Sequence, residues 1–334
     1  RSRRGSGKLS RRENLMSDKI TDRYVVNVSS ILDYMQDPCR WVFKWVENRV
    51  PRTEARALRF GKLLHVLFEK HLLGVSVEHA LETTRSEWIV KRDQYRTDAP
   101  EWQIAQDALD DLKDLWEPMS LWKDRYPFEG DPLEVEKAFE MPHPLDHTIL
   151  MRGRPDRVQI YQGRIYHIQN RSLAAGVNFP LYLRLQRRSY HEHLYGEAIN
   201  RAYGGGYGGT FFNLYRKLKY RSKPTKKQEA NGEVGTILHT MDEMFWQHPM
   251  HIDLSGQLHQ HVMLCIYRHA WNMRATEAHY RATGELPPPN ERLNGGPYGN
   301  REDEYYRVLL GEIDLDNDTI FKDREDTYTT NEEE

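Results

Sequence analysis

One short window of the chain, residues 149–171, constrains the fold more than any other. Apolar and polar residues alternate on both sides of Gly163, and this period of two is typical of half-buried β-strands. Gly163 itself occupies a position suited to a turn. The pattern therefore predicts a bent hairpin that brings Asp156, at the start of one strand, beside Gln169, at the end of the next.

The polar residues of this hairpin are of the types that a metal-dependent hydrolase uses. A carboxylate such as Asp156 at a strand end can face a cleft and hold Mg²⁺ or Mn²⁺. The amide oxygen of Gln169 can also coordinate but brings no charge, so it holds the ion less tightly. Arg171 carries a permanent positive charge, yet it fits an attacking water less well than lysine does. Alternatively, Asp156 is an ordinary loop carboxylate that is paired with Arg154 or Arg157.

Four short motifs occur in an order that resembles the RecB-like branch of the PD-(D/E)XK nuclease superfamily. In chain order they are Gly61-x-x-x-His65 for GxxxH, Pro155-Asp156 for PD, Gln169-Asn170-Arg171 in the place of (D/E)XK, and Gln186-x-x-x-Tyr190 for QxxxY. The segment from Ser29 to Cys39 is similar to the opening helix of that branch, with proline and cysteine exchanged. Each motif alone is weak, and the resemblance rests on their order.

The resemblance implies an α/β fold with a restriction-endonuclease-like core, in which helices flank a central mixed sheet. It also implies an N-terminal helical cap and a helical C-terminal extension. We divide the chain into a disordered basic arm (1–20), a nuclease domain (21–252) whose cap spans about 74–130, and a C-terminal helix with an acidic tail (253–334). Apolar periodicity further predicts a first sheet strand within 133–140, one long helix over 181–203 and a strand pair within 237–252.

The resemblance also implies roles for single residues. The metal ligands would be His65, Asp156, Gln169 and the backbone carbonyl of Asn170. Asp156, Gln169 and Arg171 would form the catalytic group. Gly61 and Glu69 would support His65 from the same helix. Judged by spacing alone, His65 fits a core histidine on an apolar helix equally well.

Two basic segments are predicted to contact DNA. The first is the helix over 181–203, on which Gln186 and Tyr190 would share a face. The second spans 216–227, where seven basic residues occur without an acid, although the net charge of the chain is −2. Phosphates respond to such local charge more than to the total. The predicted contacts are Gln186, Tyr190, Arg184, Arg187, Arg188, Lys217, Lys219 and Arg221. Alternatively, both segments are solvated basic surface that does not contact DNA.

Composition excludes several other classes of protein. Cys39 and Cys265 are the only cysteines, so the chain cannot form a disulfide framework or supply the four thiolates of an iron–sulfur cluster. The chain has no apolar run of the about 20 residues needed to span a bilayer. The glycine run at 204–209 lacks the lysine of a phosphate-binding loop, which favours a turn. We expect a cytoplasmic protein of a bacterium or a phage-infected cell.

The function that follows is a metal-dependent DNA nuclease using Mg²⁺ or Mn²⁺. By the resemblance it would be an exonuclease or an end-processing enzyme acting on DNA with a free end, and a helicase or recombination partner would supply any unwinding. Gln169 and Arg171 also fit a catalytically silent nuclease fold that serves as a DNA-binding or assembly module. An interaction role for the acidic tail and the C-terminal helix is compatible with either hypothesis.

Overall fold

In the computed structural model of the chain, the residues described are 23–51, 56–125, 131–288, 314–316 and 321–324. Over these residues the fold is mixed α/β, with a central mixed sheet flanked by helices, as predicted. The predicted basic arm and most of the acidic tail lie outside the described residues. No helix in the described ranges is both long and apolar enough to cross a membrane.

Helices dominate the part of the chain that precedes the sheet. In order, the elements are β1 (Tyr24–Val26), α1 (Val28–Gln36), α2 (Pro38–Trp41), a π-helical turn (Val42–Val46), β2 (Arg49–Pro51), α3 (Arg56–Leu72), α4 (Val77–Asp93) and α5 (Pro100–Arg125). Asp37 separates α1 from α2, because its side chain accepts hydrogen bonds from the first backbone N–H groups of α2 and Pro38 fits the first helical position. Helices α4 and α5 lie within the range 74–130 that we predicted as the cap.

Five strands form the central sheet, in the order β3-β6-β7-β8-β9. The strands that follow the cap are β3 (Asp131–Val135), β4 (Phe139–His143), β5 (Asp146–Gly153), β6 (Arg157–Tyr161), β7 (Arg164–Leu173), β8 (Tyr207–Arg216) and β9 (Phe245–His251). Strands β7 and β8 are parallel, and the other neighbours are antiparallel. The predicted hairpin is β6–β7, with Arg157 opposite Ile168 and left-handed backbone at Gln162 and Gly163.

A second sheet has the order β1-β5-β4, and β10 (Phe321–Asp323) pairs with β2. The predicted single strand within 133–140 is therefore wrong: β3 and β4 belong to different sheets. The chain turns between them at Glu136, whose φ of 50° lies in the left-handed region. This turn leaves the Glu136 backbone N–H free to donate to the Asp156 carbonyl oxygen at 3.1 Å.

The prediction of one helix over 181–203 is also wrong. The segment forms α6 (Phe179–Gln186) and α7 (Tyr190–Ala202). Ser189 has extended backbone, and its side chain accepts from the His191 N–H, so it caps the second helix instead of continuing the first. Gln186 ends α6 and Tyr190 begins α7, so the two residues do not share the face of one continuous helix.

The remaining helices are α8 (Lys226–Ala230), α9 (Met241–Met244) and α10 (Gln257–Thr283). Residues 237–252 contain one strand of the sheet instead of the predicted pair, because Thr240 and Glu243 form a capping box that begins α9. Helix α10 agrees with the prediction of a long C-terminal helix. The glycine run predicted as a turn begins as one at 203–205, but its last two glycines, Gly208 and Gly209, belong to β8, so the run leads into a strand.

Helix α3 is held between the cap and the central sheet. On the cap side, Phe68 packs edge-on against Trp122, with ring centroids 4.7 Å apart. On the sheet side, Phe60 stacks on Tyr215 at 5.7 Å. Gly61 approaches β7 so closely that a Cβ atom there would lie 3.2 Å from the Ser172 hydroxyl oxygen. The glycine of the GxxxH motif thus lets α3 lie against the strand that carries Gln169.

The pairing of β8 with β9 depends on Gly209. Its φ is 140°, and a Cβ atom there would overlap the backbone carbonyl of Met250. We expect Gly209→Ala to lower the free energy of unfolding by about 2 kcal/mol or more, because strain and overlap add. Gly176→Ala is the matched control, since no atom lies within 4 Å of its added methyl group. Equal urea midpoints for the two variants would contradict this prediction.

Candidate metal centre

Three side chains from separate parts of the chain converge beside the cap. His65 comes from α3, Asp156 immediately precedes β6, and Glu136 lies in the turn between β3 and β4. His65 Nε2 is 2.9 Å from Asp156 Oδ1, and His65 Nδ1 is 3.6 Å from Glu136 Oε1. One ligand atom of each residue lies within 4.8 Å of the other two. Two carboxylates and an imidazole at this spacing suit a divalent cation.

Asp156 is the most connected group of the centre. Its side chain is buried, and its Oδ2 accepts a 2.7 Å hydrogen bond from the backbone N–H of Asn170. Burial raises the pKa of this carboxyl group, but His65, Arg171 and the Asn170 N–H outweigh burial and hold the pKa below its ordinary value. Asp156 is therefore a carboxylate at neutral pH, which is the form that binds a cation.

Glu136 is the candidate ligand that the sequence analysis missed. Its Oε2 lies 3.1 Å from Arg154 Nε, and its Oε1 faces His65. Burial and then the nearby Asp156 raise the pKa of Glu136 to about 7. A carboxylate at the end of an alternating apolar run was the only available signal, and it is the same kind of signal that marked Asp156. The turn that directs Glu136 toward Asp156 left no sequence signature.

Gln169 and Arg171 project from one face of β7, two residues apart. Gln169 is 1% exposed; its Nε2 lies 3.3 Å from His167 Nε2, and its Oε1 has no hydrogen-bond partner among the described residues. Burial opposes the charge of Arg171, but Asp156 and Tyr182 outweigh it and raise the guanidinium pKa. The side chains of Tyr182 and Arg171 are hydrogen-bonded. Arg171 thus places a fixed positive charge near Asp156, while Gln169 has a buried oxygen without a hydrogen-bond partner among the described residues.

Two other residues predicted for the centre, Asn170 and Glu69, are not among the three converging ligands. The Asn170 backbone N–H binds Asp156, and the Asn170 side-chain oxygen accepts from Asn213 Nδ2 at 2.9 Å. Ligation by the Asn170 carbonyl stays a prediction. Glu69 is half-buried and adds, after the larger effects, to the raised pKa of Glu136. It is a neighbour of the centre and not one of the three converging ligands.

The predicted DNA contacts fall into two groups. Arg184, Arg187, Arg188 and Lys219 are exposed. Arg221 is instead held by two 2.5 Å hydrogen bonds to the carboxylate of Glu117. Lys217 lies 4.6 Å from the centre of the Phe60 ring, and burial lowers its pKa.

Gln186 and Tyr190 are half-buried, and Tyr190 packs against the core formed with α10. Within 216–227, Lys219, Lys223, Lys226 and Lys227 are exposed, whereas Arg216, Lys217 and Arg221 are half-buried. Helix α6 carries the exposed Arg184 two residues after Tyr182, which is hydrogen-bonded to Arg171.

Comparison with known families agrees with this geometry. Residues 25–170 match the PD-(D/E)XK nuclease superfamily. The matched range includes His65, Glu136, Asp156 and Gln169, and the mixed α/β architecture is consistent with that fold. Proteins of this superfamily are typically hydrolytic nucleases that use divalent metal ions. Among curated proteins, none matches the chain.

We expect Glu136 to lower the stability of the metal-free protein and to contribute to metal binding. Folding raises its pKa from 4.5 to about 7, so without a cation the folded chain loses stability as the pH rises through this interval. We expect Glu136→Gln to raise the free energy of unfolding of the metal-free protein at pH 8 by about 1–3 kcal/mol. The same variant should lose most of the stabilisation that Mn²⁺ gives. Urea unfolding with EDTA or Mn²⁺ measures both effects.

The matched control is Glu140→Gln, which removes a carboxylate that is paired with Arg152 at the surface. It should change stability by less than about 0.5 kcal/mol under either condition. A Glu136→Gln protein that is less stable than the wild type at pH 8 in EDTA would contradict the prediction.

Proposed function

We propose that the chain is a metal-dependent DNA nuclease whose ion is held by His65, Glu136 and Asp156, with the amide oxygen of Gln169 as a further ligand. The observation that carries the proposal is the convergence of these three ligand atoms within 4.8 Å, inside a range that matches a nuclease superfamily. An imidazole, two carboxylates and an amide form a mixed nitrogen–oxygen set, which favours Mn²⁺ over Mg²⁺. Glu136 supplies the negative charge that Gln169 lacks.

A bound divalent ion would polarise the phosphodiester and lower the pKa of a water molecule. The residues of the chain supply the remaining requirements. Arg171 can stabilise negative charge that develops on the phosphate oxygens, and Tyr182 fixes its position. Because a guanidinium stays protonated, Arg171 does not remove a proton from the attacking water. The proposed chemistry is therefore slow hydrolysis supported by charge and position.

The finer assignments belong to the same proposal. By analogy with the superfamily, the α4–α5 cap beside the centre favours a DNA strand with a free end, so we propose an exonuclease or end-processing enzyme of the RecB-like branch. A helicase or recombination partner would open the duplex. Comparing linear DNA with a covalently closed circle of the same sequence tests this assignment, since an exonuclease leaves the circle intact.

A catalytically silent DNA-binding module is the second candidate. One observation favours it: an uncharged glutamine and an arginine occupy the places of the carboxylate and lysine in the (D/E)XK motif. The two candidates make opposite predictions about hydrolysis and the same prediction about DNA binding. Cleavage assays therefore separate them.

Release of nucleotides from end-labelled DNA with Mn²⁺ tests the nuclease directly. We expect slow cleavage by the wild type, at least a hundredfold loss for Asp156→Asn, and undiminished DNA binding by that variant. The double variant Gln169→Glu, Arg171→Lys should cut faster than the wild type, because it restores a charged ligand and a compact cation. If neither the wild type nor the double variant cuts DNA with Mn²⁺ or Mg²⁺, the silent-module candidate stands.

Matched arginines test the DNA-binding surface. Arg188 is exposed on the turn after α6, whereas Arg221 is paired with Glu117. In an Asp156→Asn background, Arg188→Ala should reduce the slope of log affinity against log salt by about 0.7–0.9. Arg221→Ala should leave the slope unchanged. Fluorescence anisotropy with labelled DNA measures both slopes, and a larger effect for Arg221 would place the binding surface on 216–227.

A further inference from the structure

A buried cluster of polar side chains surrounds His167, which contacts Gln169. His167, Glu192 and Thr210 are 0% exposed, and Tyr207 is almost as deeply buried. They come from three elements: His167 from β7, Glu192 from α7, and Tyr207 and Thr210 from β8. Burying four such groups is costly unless each is hydrogen-bonded. A cluster of this kind, in contact with a candidate ligand, therefore calls for a functional explanation.

The hydrogen bonds of the cluster have a direction that starts at Glu192. A carboxylate only accepts, so the Thr210 hydroxyl donates to Glu192 Oε2. Thr210 is also hydrogen-bonded to the phenol of Tyr207, which leaves the Tyr207 oxygen as the acceptor for His167 Nδ1 at 2.8 Å. A neutral His167 with its proton on Nδ1 has a lone pair on Nε2. Gln169 Nε2 lies 3.3 Å from this His167 Nε2, and the Thr210 hydroxyl oxygen and Glu192 Oε2 each lie 3.4 Å from it. Of these three groups, only the Gln169 amide has a proton free to donate to the lone pair.

This direction decides which end of the Gln169 amide is available to a ligand. The NH₂ group donates to His167, so Oε1 is the end that has no hydrogen-bond partner within the part of the chain that the structure describes. The reversed amide would present NH₂ to a cation, which repels it. The reversed amide would need a proton on His167 Nε2, which would then donate to Gln169 Oε1. Because the Thr210 proton goes to Glu192, the Tyr207 proton goes to Thr210, and the 2.8 Å contact with Tyr207 then needs the proton on Nδ1.

We propose that His167 is a positioning residue that holds the carbonyl end of Gln169 toward the metal centre. Tyr207, Thr210 and Glu192 act through His167, because they fix its tautomer. A glutamic acid at position 169 would not need this device, since its two oxygens are equivalent. The inference rests on the proposed metal-dependent function, and it assigns a role to buried groups that the three converging ligands do not use.

The equivalence of carboxylate oxygens gives a sharp test. Mn²⁺ affinity is measured by titration calorimetry and by the electron paramagnetic resonance signal of free Mn²⁺ for the wild type, His167→Phe, Gln169→Glu and the double variant. His167→Phe keeps a ring that can stack on Tyr207 and should weaken binding by about tenfold or more. In the Gln169→Glu background the same change should cost less than about twofold. Equal losses in both backgrounds, or no loss in either, would overturn the proposal.

Two further variants separate positioning from folding. Tyr207→Phe removes one hydroxyl and leaves His167 in place, and it should also weaken Mn²⁺ binding only when residue 169 is glutamine. His143→Phe replaces another fully buried histidine, which is bonded to the Met263 carbonyl, and it should leave the affinity unchanged. Urea unfolding identifies any variant that fails to fold. If His167→Phe does not fold, the effect of Tyr207→Phe on Mn²⁺ affinity decides whether the proposal holds.

The tautomer is read without any metal. The ¹⁵N chemical shifts of His167 distinguish Nδ1–H from Nε2–H, and we expect Nδ1–H in the wild type. An Nε2–H result overturns the proposal whether or not Mn²⁺ binds. A wild type that binds no Mn²⁺ but shows the Nδ1–H tautomer contradicts the proposed metal centre and also removes the positioning role of His167. The two failures thus have different signatures.

Discussion

The contact between Asp156 and His65 is the interaction on which the candidate centre depends. Asp156 joins three pieces of structure: its side chain binds His65 of α3 and the Asn170 N–H of β7, and its backbone carbonyl accepts from Glu136. A buried carboxylate needs such partners, because burial alone favours its neutral form. The same bonds that keep Asp156 charged therefore place the other candidate ligands around it.

The second constraint is the balance of charge. In the proposed site, Gln169 and Arg171 of β7 take the places of the carboxylate and lysine of (D/E)XK. These two residues alone would leave Asp156 as the single negative ligand. Glu136 brings a second carboxylate from the turn between β3 and β4. Without a cation, the two acids raise the cost of the folded state, as the pKa of about 7 for Glu136 indicates. The site is thus organised for a positive ion.

The local sequence pattern predicted the strands and the helix that carry His65 and Asp156. The contacts that it did not predict depend on tertiary structure. The period of two predicted the β6–β7 hairpin, and motif order placed His65 close to Asp156. Glu136 was missed because its position depends on a left-handed turn between strands of two sheets. The pairing of Arg221 with Glu117 joins residues 104 positions apart, which periodicity cannot detect. The roles of Gln169, Arg171 and the Asn170 carbonyl stay predictions.

The break between α6 and α7 has a mechanical consequence. A continuous helix is a stiff rod, so a tilt at one end is transmitted to the other. Here the exposed arginines lie on or just after α6, while Glu192 belongs to α7, which begins after the Ser189 cap. Two short helices joined at Ser189 transmit a tilt less well than one continuous helix. A shift of α6 therefore need not displace α7 or the buried carboxylate of Glu192 on it.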